Sequence, residues 1–192
     1  MDTEDLGKTK VMNAVFALAG KSMESGLRAR LFDPRKTLRG ADIALGQIVL
    51  EVGCGTGFFT LPAAEMIGET GHLIAMDPLS GYVERVKTKV REASLANVEV
   101  VRRDALNTGL DDASVDVVLL FGVVPFPTLP LDRLLPELHR VLKADGVLAV
   151  WLFPVTFGVP SAILRSGLFT DLGKRNGVYR YRQSERQPSG PL

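Results

Sequence analysis

From Gln47 onward, the chain alternates between short apolar runs typical of strands and spaced apolar stripes typical of helices. Five runs predict strands, over Ile48–Val52, His72–Asp77, Val98–Asp104, Ser114–Gly122 and Gly146–Phe153. Three stripes predict helices between them, over Phe58–Met66, Ser80–Ser94 and Leu131–Leu142. This alternation predicts right-handed crossovers and an α/β fold, a doubly wound and mostly parallel sheet with helices on both faces.

The two ends of the chain predict different structures. Residues 1–46 predict an N-terminal helical extension or lid ahead of a core over residues 47–153. Residues 154–192 predict a C-terminal helix and an antiparallel hairpin, because Asn176-Gly177 separates two strand-like runs. We therefore expect one domain with an extension at each end.

The apolar segment Val11–Gly20 fits either an amphipathic helix or the hydrophobic part of a signal peptide. The ten residues before it carry three acids and two lysines, whereas a secretory signal begins with a positive segment. Its apolar residues also recur at helical spacing. The sequence therefore favours an amphipathic helix and a cytoplasmic protein.

Composition narrows the classes of function. The chain has 192 residues, 46% of them hydrophobic and 23% charged, which is typical of a soluble globular domain. Its net charge of +1 argues against a protein that coats nucleic acid or anionic lipid. One cysteine excludes an internal disulfide and a cysteine-based zinc site, and we predict no metal site. The longest apolar stretch, residues 117–131, is broken by glycine and prolines, so no membrane span is predicted.

The first predicted strand ends in a glycine-rich turn. Gly53, Gly55 and Gly57 alternate with other residues, and such glycines let a backbone turn tightly and approach a ligand closely. Open parallel sheets bind ligands beyond the carboxyl ends of their strands. The turn therefore predicts a ligand site, although the same glycines would also suit a purely structural strand–helix turn.

Three carboxylates sharpen this prediction. Glu51 precedes the glycines, Asp77 closes the second strand and Asp104 closes the third. An acid roughly 20 residues past such glycines can accept both hydroxyls of a ribose. Because the loop contains no lysine or arginine, a sulfonium nucleoside suits the site better than a pyrophosphate. As structural alternatives, Asp77 would cap a helix and Asp104 would cap a turn.

Several motifs in this order resemble the class I S-adenosylmethionine-dependent methyltransferases, which have a Rossmann-like fold. The motifs are VLEVGCGTGFFT at 49–60, AMDP at 75–78, RDA at 103–105 and LHRVLKADGVL at 138–148. The resemblance covers residues 47–153 and is greatest to the methyltransferase type 11, quinone-biosynthesis-like, small-molecule group. It implies S-adenosyl-L-methionine as the cofactor.

The resemblance also implies cofactor-binding residues. In that arrangement the glycines line the methionine part with Glu51 near its amino group, Asp77 holds the ribose and Asp104 receives the adenine amino group. The implied set is Glu51, Gly53, Cys54, Gly55, Thr56, Gly57, Asp77, Pro78, Leu79, Tyr82, Asp104, Ala105, Phe121 and Gly122.

The resulting functional prediction is methyl transfer to a small, apolar acceptor by in-line displacement. The segments Gly122–Pro130 and Trp151–Pro160 are predicted to wall the acceptor site, and no catalytic base is assigned. We expect no nucleic-acid partner and consider a homodimer, in which a second subunit would complete the pocket.

Three alternatives stay open. An RNA methyltransferase is disfavoured because Phe121 stands where amino-group methylases carry a polar residue. The glycine spacing disfavours a nicotinamide oxidoreductase. A non-catalytic protein that keeps the S-adenosylmethionine-binding fold is the third alternative, and the sequence contains nothing against it.

Overall fold

The computed structural model describes residues 33–125, 129–152 and 158–184. The predicted amphipathic helix at Val11–Gly20 lies outside these ranges, as do parts of both predicted acceptor walls.

The predicted strands and helices are present at nearly the predicted positions. The strands are β1 Ile48–Val52, β2 His72–Asp77, β3 Val98–Arg102, β4 Val115–Phe121, β5 Leu142–Trp151, β6 Phe169–Arg175 and β7 Val178–Gln183. The described helices are α1 Pro34–Leu38, α2 Thr60–Ile67, α3 Ser80–Glu92, α4 Leu131–Val141 and α5 Val159–Arg165, with a 3-10 turn at Arg39–Ala41.

The bounds of β3 and β5 differ from the prediction by two to four residues, and those of β4 by one. β3 ends at Arg102 because Asp104 turns away, its carboxylate accepting a hydrogen bond from the backbone N–H of Leu106 at 2.9 Å. β5 begins at Leu142 because the backbone is already extended where α4 ends, and Leu142 pairs with Val115 across an irregularity in the ladder. None of these differences moves the carboxyl ends of β1 and β2, next to the glycine turn.

The described strands form one sheet in the order β3-β2-β1-β4-β5-β7-β6. Strands β1 to β5 are parallel, whereas β7 is antiparallel to both β5 and β6. The predicted doubly wound sheet and its terminal hairpin are therefore confirmed. The strand order reverses between β1 and β4, and a cleft opens beyond the carboxyl ends of strands at such a reversal.

Each face of the sheet is covered by a different helix layer. Val49 and Leu119 are buried with residues of α2 on one face, whereas Leu50 and Leu120 are buried with residues of α4 on the other. Because side chains alternate along a strand, Glu51 shares the α2 face with Val49. Residue parity thus determines which side chains meet near the glycine turn.

Ion pairs connect the C-terminal hairpin to the segment that precedes β1. Asp42 forms ion pairs with both Arg175 and Arg180 of the hairpin. The amide of Gln183 donates to the carbonyl of Leu142 at 2.7 Å and holds the other end of the hairpin. None of the helices in the described ranges is long and apolar enough to cross a membrane.

Candidate cofactor-binding site

The glycine turn is fixed to the end of the neighbouring strand. The backbone N–H groups of Gly53 and Cys54 both donate to the carbonyl of Met76 in β2, at 2.8 and 2.9 Å. Gly57 then donates to the carbonyl of Cys54 at 2.9 Å and closes the turn into α2. The turn therefore lies where the carboxyl ends of β1 and β2 meet.

Two of the glycines serve different purposes. Gly53 has φ +73°, and a Cβ there would lie 2.3 Å from Cγ1 of Val123, so the loop after β4 requires the absence of a side chain. Gly55 has φ +52°, and a Cβ there would meet no described atom within 4 Å. Gly55 therefore borders open space, which is the space a ligand in the cleft would use.

Asp77 joins the glycine turn to the start of α3. Its two carboxylate oxygens accept from the backbone N–H groups of Gly55 at 3.0 Å and Leu79 at 2.9 Å. Burial raises the pKa of Asp77 to about 6, against the lowering effect of these two hydrogen bonds. Asp77 precedes the N-cap position of α3, which is Leu79, so it orients the turn without capping the helix. Each oxygen keeps a lone pair for a further donor, such as a ribose hydroxyl.

Glu51 is a carboxylate on a strand that is otherwise apolar. It is 3% exposed and accepts a hydrogen bond from Oγ1 of Thr60, the first residue of α2, at 2.6 Å. Burial raises the pKa of Glu51 to about 8; the Thr60 hydrogen bond opposes this rise and the charge of Asp77 adds to it. Within the described residues, no lysine or arginine pairs with Glu51. A bound cation would supply the missing positive charge.

Four of the remaining predicted residues surround the ends of β2 and β3. Leu79 and Ala105 are buried, and the carbonyl of Pro78 accepts a hydrogen bond from Nε of Arg102 at 3.0 Å. Burial raises the pKa of Tyr82, and the nearby charge of Asp77 raises it further.

Asp104 lies in the turn that follows β3. It follows Arg102, which pairs with Asp77 in the sheet, by two residues. Its carboxylate accepts from the backbone of Leu106 and so has the turn-capping role considered from the sequence. The structure thus places Asp104 two residues beyond the end of β3, where its carboxylate has a structural contact.

The residues between the glycines are buried. Cys54 is 4% exposed, and burial raises the pKa of its thiol, with the charges of Glu51 and Asp77 adding to that effect. A thiol held in this way is a small apolar filler and a poor nucleophile. The side chain of Thr56 is also buried, and its backbone carbonyl accepts from Nζ of Lys89 at 2.7 Å.

Aromatic rings cover the sheet end beside Glu51. Phe59 makes edge-to-face contacts with Phe121 and Trp151, at centroid distances of 5.0 and 5.6 Å. We call these three residues the aromatic wall. Gly122 follows directly and donates its backbone N–H to the carbonyl of Trp151 at 2.9 Å. The wall and Glu51 both lie on the α2 face of the sheet.

Part of the predicted acceptor wall has a different position. Val124, Leu152 and Val159 are buried in the core on the α4 face, opposite the face that holds Phe121 and Trp151. These three residues pack the interior. Sequence reasoning also missed Phe59 and Thr60, whose direction depends on how α2 leaves the glycine turn.

The structure combines a doubly wound sheet, an alternating-glycine turn and acids at the ends of β1 and β2. This combination agrees with the resemblance to class I methyltransferases found in the sequence. Residues 49–146, just over half of the chain, match the family described as methyltransferase domain. The chain belongs to this family.

Individual relatives agree with this assignment. A demethylmenaquinone methyltransferase of Listeria welshimeri is 34% identical over 116 residues, which are 60% of this chain and 48% of that protein. Another from Staphylococcus epidermidis is 37% identical over 109 residues, 55% of this chain and 43% of that protein. The chain spans about half the length of the curated relatives it matches.

A solved structure extends the likeness to most of the chain. The crystal structure of a SAM dependent methyltransferase from Aquifex aeolicus superposes with a TM-score of 0.69 at 26% identity. The alignment covers 86% of this chain and 96% of that one.

The family implies S-adenosylmethionine as the cofactor, and the residues present fit it. Glu51 offers a buried carboxylate without a paired cation, and Asp77 offers acceptor oxygens beside the turn. Gly55 borders open space that a Cβ would begin to fill. These features match the ammonium group, the ribose and the close backbone approach that this nucleoside requires.

Proposed function

We propose that this protein transfers a methyl group from S-adenosylmethionine to a small, apolar acceptor. One observation carries the proposal: an unpaired buried carboxylate and the aromatic wall share the α2 face where the strand order reverses. The carboxylate suits a cationic cofactor, and the aromatic rings suit an apolar molecule beside it.

The roles of the chain's own residues follow from this arrangement. Glu51 and Asp77 bind and orient the cofactor through its amino group and ribose. When bound, S-adenosylmethionine supplies an activated methyl group, because its sulfonium sulfur retains the electron pair of the S–CH3 bond on transfer. The aromatic wall excludes water and contributes no titratable side chain, so its main effect is to orient the acceptor. Orientation of reacting groups contributes up to about 7–11 kcal/mol in favourable cases.

The acceptor class is inferred from the wall and from the names of the relatives. Two of these relatives are demethylmenaquinone methyltransferases. A planar aromatic acceptor of the reduced quinone kind would stack against Phe121 or Trp151 with little loss of hydration. Such an acceptor would lose a proton as its new bond to carbon forms.

Calorimetric titration tests the cofactor assignment. We expect the protein to bind both S-adenosylmethionine and its demethylated product, and Asp77→Asn to weaken binding at least tenfold because acceptors for the ribose are lost. Asp145→Asn is the matched control, since Asp145 is exposed at the opposite end of the sheet. A folded protein that binds neither compound would contradict the proposal.

Transfer of a labelled methyl group tests the acceptor. A reduced demethylated naphthoquinol should accept the label, whereas bulk RNA should not. Label in RNA would support the nucleic-acid alternative. Tight cofactor binding with no transfer to any offered acceptor would identify a non-catalytic binding protein.

A further inference from the structure

Thr60 makes an unusual contact for a hydroxyl at the start of a helix. Ser and Thr in such places usually accept from the backbone of their own helix. In α2 the N-cap position is Phe59, which gives no side-chain cap, and the Thr60 hydroxyl instead crosses to the sheet and donates to Glu51 at 2.6 Å. Thr60 is fully buried and Glu51 almost so. The contact thus joins the helix layer to the sheet beneath the glycine turn.

The other groups around Glu51 do not stabilise a negative charge on its carboxylate, so the Thr60 hydroxyl is important. The strand neighbours of Glu51 in register are Ala75 and Leu119, both apolar. The titratable groups that face it are Asp77 from β2 and the thiol of Cys54 from the turn, and neither stabilises a negative charge.

One lysine also reaches this part of the fold. Lys89 of α3 reaches the glycine turn, but its ammonium donates to the carbonyl of Thr56. The Thr60 hydroxyl is therefore the hydrogen-bond donor that the described residues provide to the Glu51 carboxylate. Hydrogen bonds to charged groups are among the strong ones, and a buried carboxylate without one carries a large desolvation cost.

We propose that Thr60 is a positioning residue for cofactor binding: its hydroxyl orients the Glu51 carboxylate and stabilises the ionised form that the cofactor's amino group requires. The inference rests on the proposed function for the identity of that cofactor. The Thr60–Glu51 contact itself does not depend on the proposed function and can be tested without cofactor.

The test compares Thr60→Val, which keeps the side-chain volume, with Thr60→Ser, which keeps the hydroxyl. The first readout is the titration of Glu51 in the protein without cofactor, followed by carbon NMR of labelled glutamate carboxyls. Glu51→Gln identifies its signal. Thr60→Val should move the titration to higher pH because the charged form loses its donor, and Thr60→Ser should leave it near the original value.

The second readout is cofactor affinity as a function of pH. At pH 7 Thr60→Val should weaken binding about tenfold, since it removes one hydrogen bond to a charged acceptor. The loss should shrink as the pH rises past the titration of Glu51, and Thr60→Ser should bind within about twofold of the original protein. A purely structural role would lower affinity equally at every pH.

Thr108→Val is the matched control. Thr108 is also fully buried and donates to a glutamate at 2.6 Å, but that glutamate is Glu137 on α4, on the opposite face of the sheet. This variant should leave the titration of Glu51 and the pH profile of binding unchanged.

The outcomes separate this inference from the proposed function. If the original protein binds cofactor but Thr60→Val titrates and binds like it, the role of Thr60 is overturned and the function stands. A Thr60→Ser variant whose pH profile of binding resembles that of Thr60→Val, and not that of the original protein, would also overturn the role of Thr60. If the original protein binds no cofactor, both proposals fail, and the apoprotein titration still reports whether the contact exists. Thr60→Ala replaces Thr60→Val if the latter does not fold.

Discussion

At the scale of single residues, neighbouring glycines of the same turn have separate constraints. Gly53 is constrained by tertiary packing, because Val123 occupies the volume a side chain would need. Gly55 is constrained by its positive φ alone, because a Cβ there would meet no described atom within 4 Å. The sequence shows three equivalent-looking glycines, whereas the structure predicts that their substitutions have different consequences.

We expect Gly53→Ala to destabilise the protein much more than Gly55→Ala. Both force a non-glycine residue to positive φ, at a cost of about 1–3 kcal/mol. Only Gly53→Ala adds a 2.3 Å clash with Cγ1 of Val123. Thermal unfolding measures the difference, and Val123→Ala should restore part of the stability of Gly53→Ala. Equal effects of Gly53→Ala with and without the second substitution would show that the clash is relieved in another way.

At the scale of elements, helix α3 packs against the glycine turn and stabilises it. Val86 of α3 lies 3.3 Å from the position of a Cβ on Gly57, and Lys89 donates to the carbonyl of Thr56 at 2.7 Å. The start of α3 is in turn tied to the turn through Asp77. The loop therefore owes its shape to a helix that begins more than 20 residues later in the chain.

Lys89→Met should weaken cofactor binding severalfold with a smaller effect on folding. The variant keeps the apolar stem and removes the charged donor, a contact of about 1 kcal/mol net. Lys87→Met is the control on the same helix, because Lys87 is more exposed and pairs with Glu84 three residues away. Titration calorimetry measures the affinity of both variants for the cofactor. Equal losses of affinity would show that the overall charge of α3, and not the contact of Lys89 with the loop, supports binding.

The same elements show how far the sequence could lead. The strand ends at Glu51 and Asp77 were predictable, because hydrophobic alternation and turn residues mark where buried strands stop. The amino-acid pattern therefore suffices to place the carboxylates at those ends along one edge of the sheet. The partners of Glu51 were not predictable, because the rotation of α2 about its axis decides whether Thr60 or a neighbour faces the strand. Val124 and Leu152 lie in the core on the α4 face, which the sequence could not decide, since an apolar side chain near a strand end fits either face.

At the scale of the whole molecule, two glutamates change the pH dependence of its free energy of unfolding in opposite directions. Burial raises the pKa of Glu51, whereas hydrogen bonds from Arg140 and Thr108 lower the pKa of Glu137 to about 2. A raised carboxylate pKa makes the folded state bind more protons than the unfolded chain, and a lowered one does the reverse. The site on the α2 face therefore destabilises the ionised apoprotein, while the α4 face is stabilised by its ionised glutamate.

The free energy of unfolding of the apoprotein should fall as the pH rises from about 5 to about 8. In this window Glu51 is ionised in the unfolded chain, where its ordinary pKa is 4.5, and still protonated in the folded state, where its pKa is about 8. One pKa unit corresponds to about 1.4 kcal/mol, so the decline is on the order of a few kcal/mol. Asp77, with a pKa of about 6, adds to the lower part of the window.

Urea unfolding at several pH values measures this decline, and two variants assign it. Glu51→Gln should flatten the curve between pH 6 and 8, because its amide does not titrate. Glu137→Gln should lower the free energy of unfolding above about pH 4.5, where ionised Glu137 stabilises the original protein, and this difference should shrink as the pH falls toward 2. Saturating S-adenosylmethionine should oppose the decline, since a bound ammonium group favours the ionised form of Glu51. An apoprotein equally stable at pH 5 and pH 8, or a Glu51→Gln variant with the original slope, would contradict the idea that a buried carboxylate without a paired cation limits the stability of the empty site.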